Sequence, residues 1–165
     1  MNHSVSNITA LDEVEREVIE LFVRMADVLS LPRSVGEIYG LLFISTHPLC
    51  LDDCRIRLNI SKGSTSQGLK ILRSFGAIRT VYIPGDRKDY YVAETSLRKI
   101  TSGFAAEEIQ PHVHSGKERI ERIYELLDAH PGDNKEALHE KIDLLERWQS
   151  RASKALPLLL RLIGS

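Results

Sequence analysis

Acid is what the middle of this sequence lacks. Between Arg55 and Tyr91 the only carboxylates are Asp86 and Asp89, set against Arg55, Arg57, Lys62, Lys70, Arg73, Arg79, Arg87 and Lys88. That segment carries +6 in a chain whose net charge is −1, leaving −7 for the rest. A cationic patch on an otherwise acidic chain predicts a polyanionic partner. Other absences narrow the class further. No stretch approaches the ~20 apolar residues of a membrane span, and the longest apolar cluster, ALPLLLRLI, is short and holds Arg161. The N-terminal MNHSVSNITALDEVE has no apolar signal-peptide core. The expectation is a cytoplasmic protein with no membrane partner. Two cysteines, Cys50 and Cys54, make no disulfide framework. There is no phosphate loop, no nucleophile–base arrangement and no pair of carboxylates placed for acid–base work, so neither an enzyme nor a cofactor is expected. His112 and His114 lack a third ligand at convincing spacing, so no metal site is expected.

What is present is enough for a real core. The chain has 165 residues, 42% of them hydrophobic and 27% charged, which suits one domain or a small domain with an extension. From Thr9, paired with Asp12 as a capping box, a helix is predicted with Leu11, Val14, Val18, Leu21, Phe22, Met25 and Leu29 at three- and four-residue spacing. A second helix is predicted from Ser34, capped with Glu37, to a stop before THP. A short third helix spans about Leu51 to Leu58. Ser61 is a strong N-cap for a fourth, Lys62 to Phe75, with Gly76 as its stop. The period then changes to two: AIRTVYI, the turn PGDRKD and YYVAE read as a hairpin. After Thr95 the pattern is helical to about His130, with a kink or break expected at Pro111. A last helix is predicted from about Lys135 to Leu162. The fold class is thus mainly α with a small β-hairpin: a winged helix-turn-helix at 32–94. It is flanked by an N-terminal dimerisation helix, 1–31, and a C-terminal helical dimerisation region, 95–165, because the outlying helices have long apolar stripes and nothing of their own to cover.

The fourth helix, KGSTSQGLKILRS, is poorly made for a helix. Each interior glycine costs about 0.8–1 kcal/mol relative to alanine. On a helical wheel Thr65, Gly68, Leu69, Ile71, Leu72 and Phe75 share one side; Lys62, Gly63, Ser66, Gln67, Lys70, Arg73 and Ser74 share the other. The polar side has three cations and no acid, whereas solvated helix faces usually mix signs. This is the pattern of a recognition helix in a major groove. Ser61, Lys62, Gly63, Ser64, Ser66, Gln67, Lys70 and Arg73 are its candidate DNA contacts, Ser66 and Gln67 as base readers. Gly63 is expected to allow close approach, and Gly68 tight packing. Arg87 and Lys88 at the hairpin tip are candidate contacts to a neighbouring minor groove, with Asp86 holding the Arg87 guanidinium in place.

DRK in a hairpin after a serine-rich recognition helix resembles the MarR superfamily of winged-helix regulators. LPRSVGEIYGLLF, ISKGSTSQGLKILRSFGAI and PGDRKDYYVAE resemble its GbsR-type subgroup more closely. The resemblance covers about Leu31 to Glu94 well and the flanking helices loosely. It implies a homodimeric transcription regulator on double-stranded DNA, a repressor by family habit, whose terminal helices form the dimer interface and which responds in some members to a small effector. Tyr39, Phe104, Tyr124 and Trp148 are candidate effector-binding aromatics, able to hold a quaternary ammonium by cation–π attraction; core or dimer packing is the other reading. Cys50 and Cys54 are read as ordinary buried thiols, with a redox switch as the alternative. A winged helix used only as a protein-interaction module is the alternative function.

Overall fold

The chain, described here from a computed structural model, is seen over residues 10–129 and 131–163. Seven helices and one small sheet follow one another: α1 Glu13–Val28, α2 Arg33–Ile44, β1 Leu49–Cys50, α3 Leu51–Leu58, α4 Lys62–Ser74, β2 Ile78–Val81, β3 Tyr90–Ala93, α5 Leu97–Phe104, a π-helical turn Ala105–Ile109, α6 Gln110–Asp128 and α7 Lys135–Ile163. The winged helix-turn-helix expected from the sequence is present. The sheet is larger by one strand than the expected hairpin. β1 pairs antiparallel with β3, giving the order β1-β3-β2, because the two residues before α3 lie opposite Tyr90 and Tyr91.

Two predicted caps fall elsewhere. Thr9 lies outside the described residues, and Asp12 is itself the N-cap of α1. Its carboxylate accepts from Glu15 N at 2.8 Å while Glu15 accepts from Asp12 N at 3.0 Å. Helix α2 starts at Arg33 after Pro32, without a side-chain cap; Glu37 is taken instead by the Arg33 guanidinium at 2.8 Å. Ser61 caps α4 as expected, accepting from Ser64 N at 3.0 Å. Gly76 ends that helix region with φ +66. Pro111 lies just past the π turn in a helical run that is unbroken over 97–128, so its missing N–H takes one donor from the backbone ladder there. The expected break takes the form of the π turn just before it.

The core is built by α1, α2, α3, α4 and the sheet around Ile38, Leu41, Leu49, Cys54, Leu69 and Leu72, each 3% exposed or less. Helix α1 contributes Ile19, Val23 and Ala26 to that interior; of the stripe counted from the sequence, Leu11, Val18 and Phe22 are half-buried. Val14, Leu21 and Met25 from that stripe are exposed. The helix therefore has two apolar faces, and one of them is covered by α2. The approach is close enough that a Cβ on Gly36 would lie 2.6 Å from Phe22 O. Gly68 is buried as expected: a Cβ there would lie 2.5 Å from Ile38 Cδ1 and 3.4 Å from Ser34 O.

Helices α6 and α7 form an antiparallel pair joined by Gln149 Nε2 donating to Val113 O at 3.0 Å and by Tyr124 OH donating to Asp143 at 2.6 Å. The outer face of α7 leaves Leu144, Leu145, Trp148, Leu156 and Leu159 exposed. No helix among the described residues is long and apolar enough to cross a membrane.

Candidate nucleic-acid interface

Helix α4 places its two sides as the wheel requires. Thr65, Gly68, Leu69 and Leu72 are buried, and Lys62, Gly63, Ser64, Ser66, Gln67, Lys70, Arg73 and Ser74 are exposed. Thr65 spends its hydroxyl inside the helix, donating to Ser61 O at 2.8 Å. The Ser61 and Ser64 hydroxyls sit 2.9 Å apart at the cap. The nearest heavy atom a Cβ on Gly63 would meet is Ser61 Oγ at 3.9 Å. Packing within the protomer thus gives no reason for glycine at 63.

The charge count from the sequence overstates the patch. Arg57 is a structural cation: its guanidinium holds Glu15 at 2.7 Å, and both side chains are largely buried. Arg55 pairs with Asp52 at 3.5 Å. Both acids lie outside the counted segment, which is why a local tally missed them. Among the described residues, no carboxylate lies within ion-pair distance of Lys62, Lys70, Arg73, Arg79, Arg87 or Lys88. These six are on α4, on β2 and at the hairpin tip.

The tip is organised by Asp86, but not through Arg87 as expected. Ile83 to Asp86 form a turn closed by Asp86 N donating to Ile83 O at 3.2 Å, with Pro84 and then Gly85 at φ +85 in the central positions, the sequence a type II turn favours. The Asp86 carboxylate accepts from Lys88 N at 3.0 Å and from Tyr90 OH at 2.7 Å. Those two donors hold its carboxyl below the usual range, and the same contact pushes the Tyr90 hydroxyl up to about 12. A backbone N–H one residue beyond Arg87 and a tyrosine at the root of β3 are nearer partners than a long, exposed guanidinium. Asp86 thus staples the tip to the strand and leaves the Arg87 and Lys88 side chains pointing outward. The staple is intact above the ordinary carboxylate range and is lost as pH falls through the depressed Asp86 value. Tyr90 was not legible as a tip residue, because it reads simply as a strand aromatic. Asp86→Ala and Tyr90→Phe are both expected to broaden the amide resonances of 83–88 in NMR spectra while leaving those of α4 in place. Unchanged tip resonances in both variants would show that the staple does not order the turn.

The four aromatic candidates for an effector pocket are not brought together. Tyr39 donates to Glu94 O at 2.7 Å and packs edge-on to Phe22 at 4.8 Å. Phe104 packs edge-on to Phe75 at 5.2 Å. Both belong to the rim of the winged-helix core. Trp148 is 59% exposed on α7, so it is not packed inside the protomer. Tyr124 alone lines the groove between α6 and α7, about 450 Å³, with Val113, Ile120, Glu146, Gln149 and Pro157 among its walls. Cys50 and Cys54 are buried and unbridged; burial pushes the Cys54 thiol up to about 12, away from the reactive thiolate. His112 and His114 are exposed, and His114 sits 3.4 Å from Glu118.

Known proteins are similar to this chain. Over 95 residues, 58% of the chain, the sequence is 30% identical to the HTH-type transcriptional repressor GbsR of Bacillus subtilis (strain 168). Over that stretch the chain is similar to GbsR. It spans about half of that repressor's length, 52%. A crystal structure of a transcriptional regulator shares the fold, with a TM-score of 0.55 at 22% identity over 88% of this chain and 97% of that one. No family model matches the chain.

Proposed function

We propose that the chain is a sequence-specific DNA-binding transcription regulator, a repressor acting as a homodimer on a palindromic operator. The observation that carries this reading is the one-signed exposed face of α4, uncompensated by any nearby acid and set beside a stapled, cationic hairpin tip. The homology to GbsR supports it. Two apolar surfaces support the dimer: the outer stripe of α1 and the Leu145, Trp148 and Leu156 face of α7, exposed in the protomer. We assign them to a second copy of the chain, with 1–31 and 95–165 as dimerisation regions around a DNA-binding unit at 32–94. Recognition helices so paired read half-sites about 34–36 Å apart. A small effector would act from the groove between α6 and α7, since those helices join the dimer face to the wing.

Steep salt dependence of duplex binding is the expected signature, because phosphate contacts release counterions. Selection from random duplexes should return an imperfect palindrome. A folded protein that binds no duplex at low salt would instead favour a winged helix used for protein contacts. Within the site, Gln67→Ala is expected to cost about 1–3 kcal/mol at one base position and relax specificity there. Arg87→Ala is expected to weaken binding to all sequences and flatten the salt slope by about one phosphate equivalent. Titration of both variants against the selected operator and a scrambled duplex separates the two roles. A uniform loss for Gln67→Ala would remove it from base reading.

A further inference from the structure

The exposed face of α4 is not uniform. Residues rotate by about 100° each around a helix, which places Lys62, Ser66, Lys70 and Arg73 within about 80° of one another. Gly63, Gln67, Ser74 and Ser64 occupy the adjoining arc, which has no charge at all. The cationic flank is the one turned toward α3 and the sheet. There Ser66, Leu69, Lys70 and Arg73 meet Leu51, the first residue of α3, and Tyr91 of β3 around a cleft of about 200 Å³. Tyr91 is 6% exposed and lines the cleft together with Arg73. The register explains how it comes to be there: β3 is the central strand, with Tyr91 opposite Leu49 on one side and Thr80 on the other. The acids at the start of α3 are committed locally, Asp53 to Cys50 N at 2.9 Å and Asp52 to Arg55.

We propose that this cleft seats one backbone phosphate of duplex DNA. Lys70 and Arg73 supply the charge, Ser66 supplies a hydroxyl donor, and Tyr91 is a positioning residue that holds Arg73 at the rim. The inference rests on the DNA-binding reading above and deepens it. It moves Ser66 from base reading to phosphate binding and leaves the base edges to the uncharged flank of Gly63 and Gln67. A phosphate fixed beside α3 sets the depth and rotation of α4 in the groove, since phosphate contacts position and base contacts specify.

The test is fluorescence anisotropy of the full chain on a mixed-sequence duplex over a series of salt concentrations, with melting temperature recorded for each variant. Lys70→Ala and Arg73→Ala are each expected to lower the slope of log K against log salt by about 0.9 per protomer engaged. Tyr91→Phe keeps the buried ring. It is expected to weaken binding several-fold and flatten the slope in part, at an unchanged melting temperature, a change that lost packing alone would not produce. Arg119→Ala, an exposed cation on α6, is expected to match the parent in both affinity and slope on this duplex. Parent slopes for Lys70→Ala and Arg73→Ala, or for Tyr91→Phe, would overturn the inference while the regulator reading stood on the parent's own binding. Absence of binding by the parent would overturn both.

Discussion

Ile38→Ala is expected to lower stability by about 2–5 kcal/mol, the range for deleting a large buried aliphatic side chain. Ile38 is fully buried between α1, α4 and the sheet side of the core. The sharper expectation concerns its partner. A methyl group on Gly68 would sit 2.5 Å from Ile38 Cδ1, so Gly68→Ala alone overfills the α2–α4 contact and should cost about 1–3 kcal/mol. The obstructing atom is the far end of a side chain, not backbone. In the Ile38→Ala background that atom is gone, the new methyl group enters part of the cavity, and alanine is the better helix former by about 0.8–1 kcal/mol. The double variant should therefore be more stable than Ile38→Ala alone. Urea unfolding of the two single variants and the double decides it. Additive losses would show that Gly68 is present for a reason other than this contact.

Trp148→Glu is expected to raise the dimer dissociation constant by about thirty-fold or more, corresponding to at least about 2 kcal/mol, as for a central aromatic anchor. Protomer unfolding should change little, because the indole is already 59% exposed there. The distinction reverses what a buried tryptophan would do, where the loss would fall on folding. Leu145 and Leu156 flank it at helical spacing on the same face of α7, which makes the tryptophan central and not peripheral. Sedimentation equilibrium together with thermal unfolding separates the outcomes. A variant that keeps the parent's self-association would remove this face from the interface. A variant that fails to fold would show the indole to be interior after all.

The winged unit was legible because its signals are local. A serine cap, a glycine stop, a period changing from 3.6 to 2, and a proline–glycine turn each act within a few residues. What was missed depends on partners distant in sequence. Glu15 and Arg57 lie 42 residues apart, and no spacing rule joins them, so Arg57 was counted with the cationic patch. The stripe counted on α1 mixes half-buried Val18 and Phe22 with exposed Val14, Leu21 and Met25 because both faces are apolar, and only the packing of α2 tells them apart. Strand β1 has two residues, too few to show a period. Tyr39 leaves pocket wall and packing both open in the sequence, and what decides it is a hydroxyl that reaches across 55 residues to Glu94 O. Aromatic residues in particular carry no mark in sequence of which neighbour will claim them. Pro157 lies inside α7, and the apolar residues around it continue the helical pattern on both sides.

The π turn between α5 and α6 holds one residue more than an α-helical turn of the same rise. Each residue in a helix is worth about 100° of rotation. The turn therefore takes up one residue without re-phasing the helix: α6 continues from α5 much as it would in an unbroken α-helix one residue shorter. Loss of one residue from it would let the turn revert to α geometry and leave the C-terminal pair facing nearly as before, whereas loss of one residue from α6 would turn everything beyond it by about 100°. In the proposed dimer the π turn thus absorbs a one-residue change that a plain α-helix would pass on to the angle between the two recognition helices.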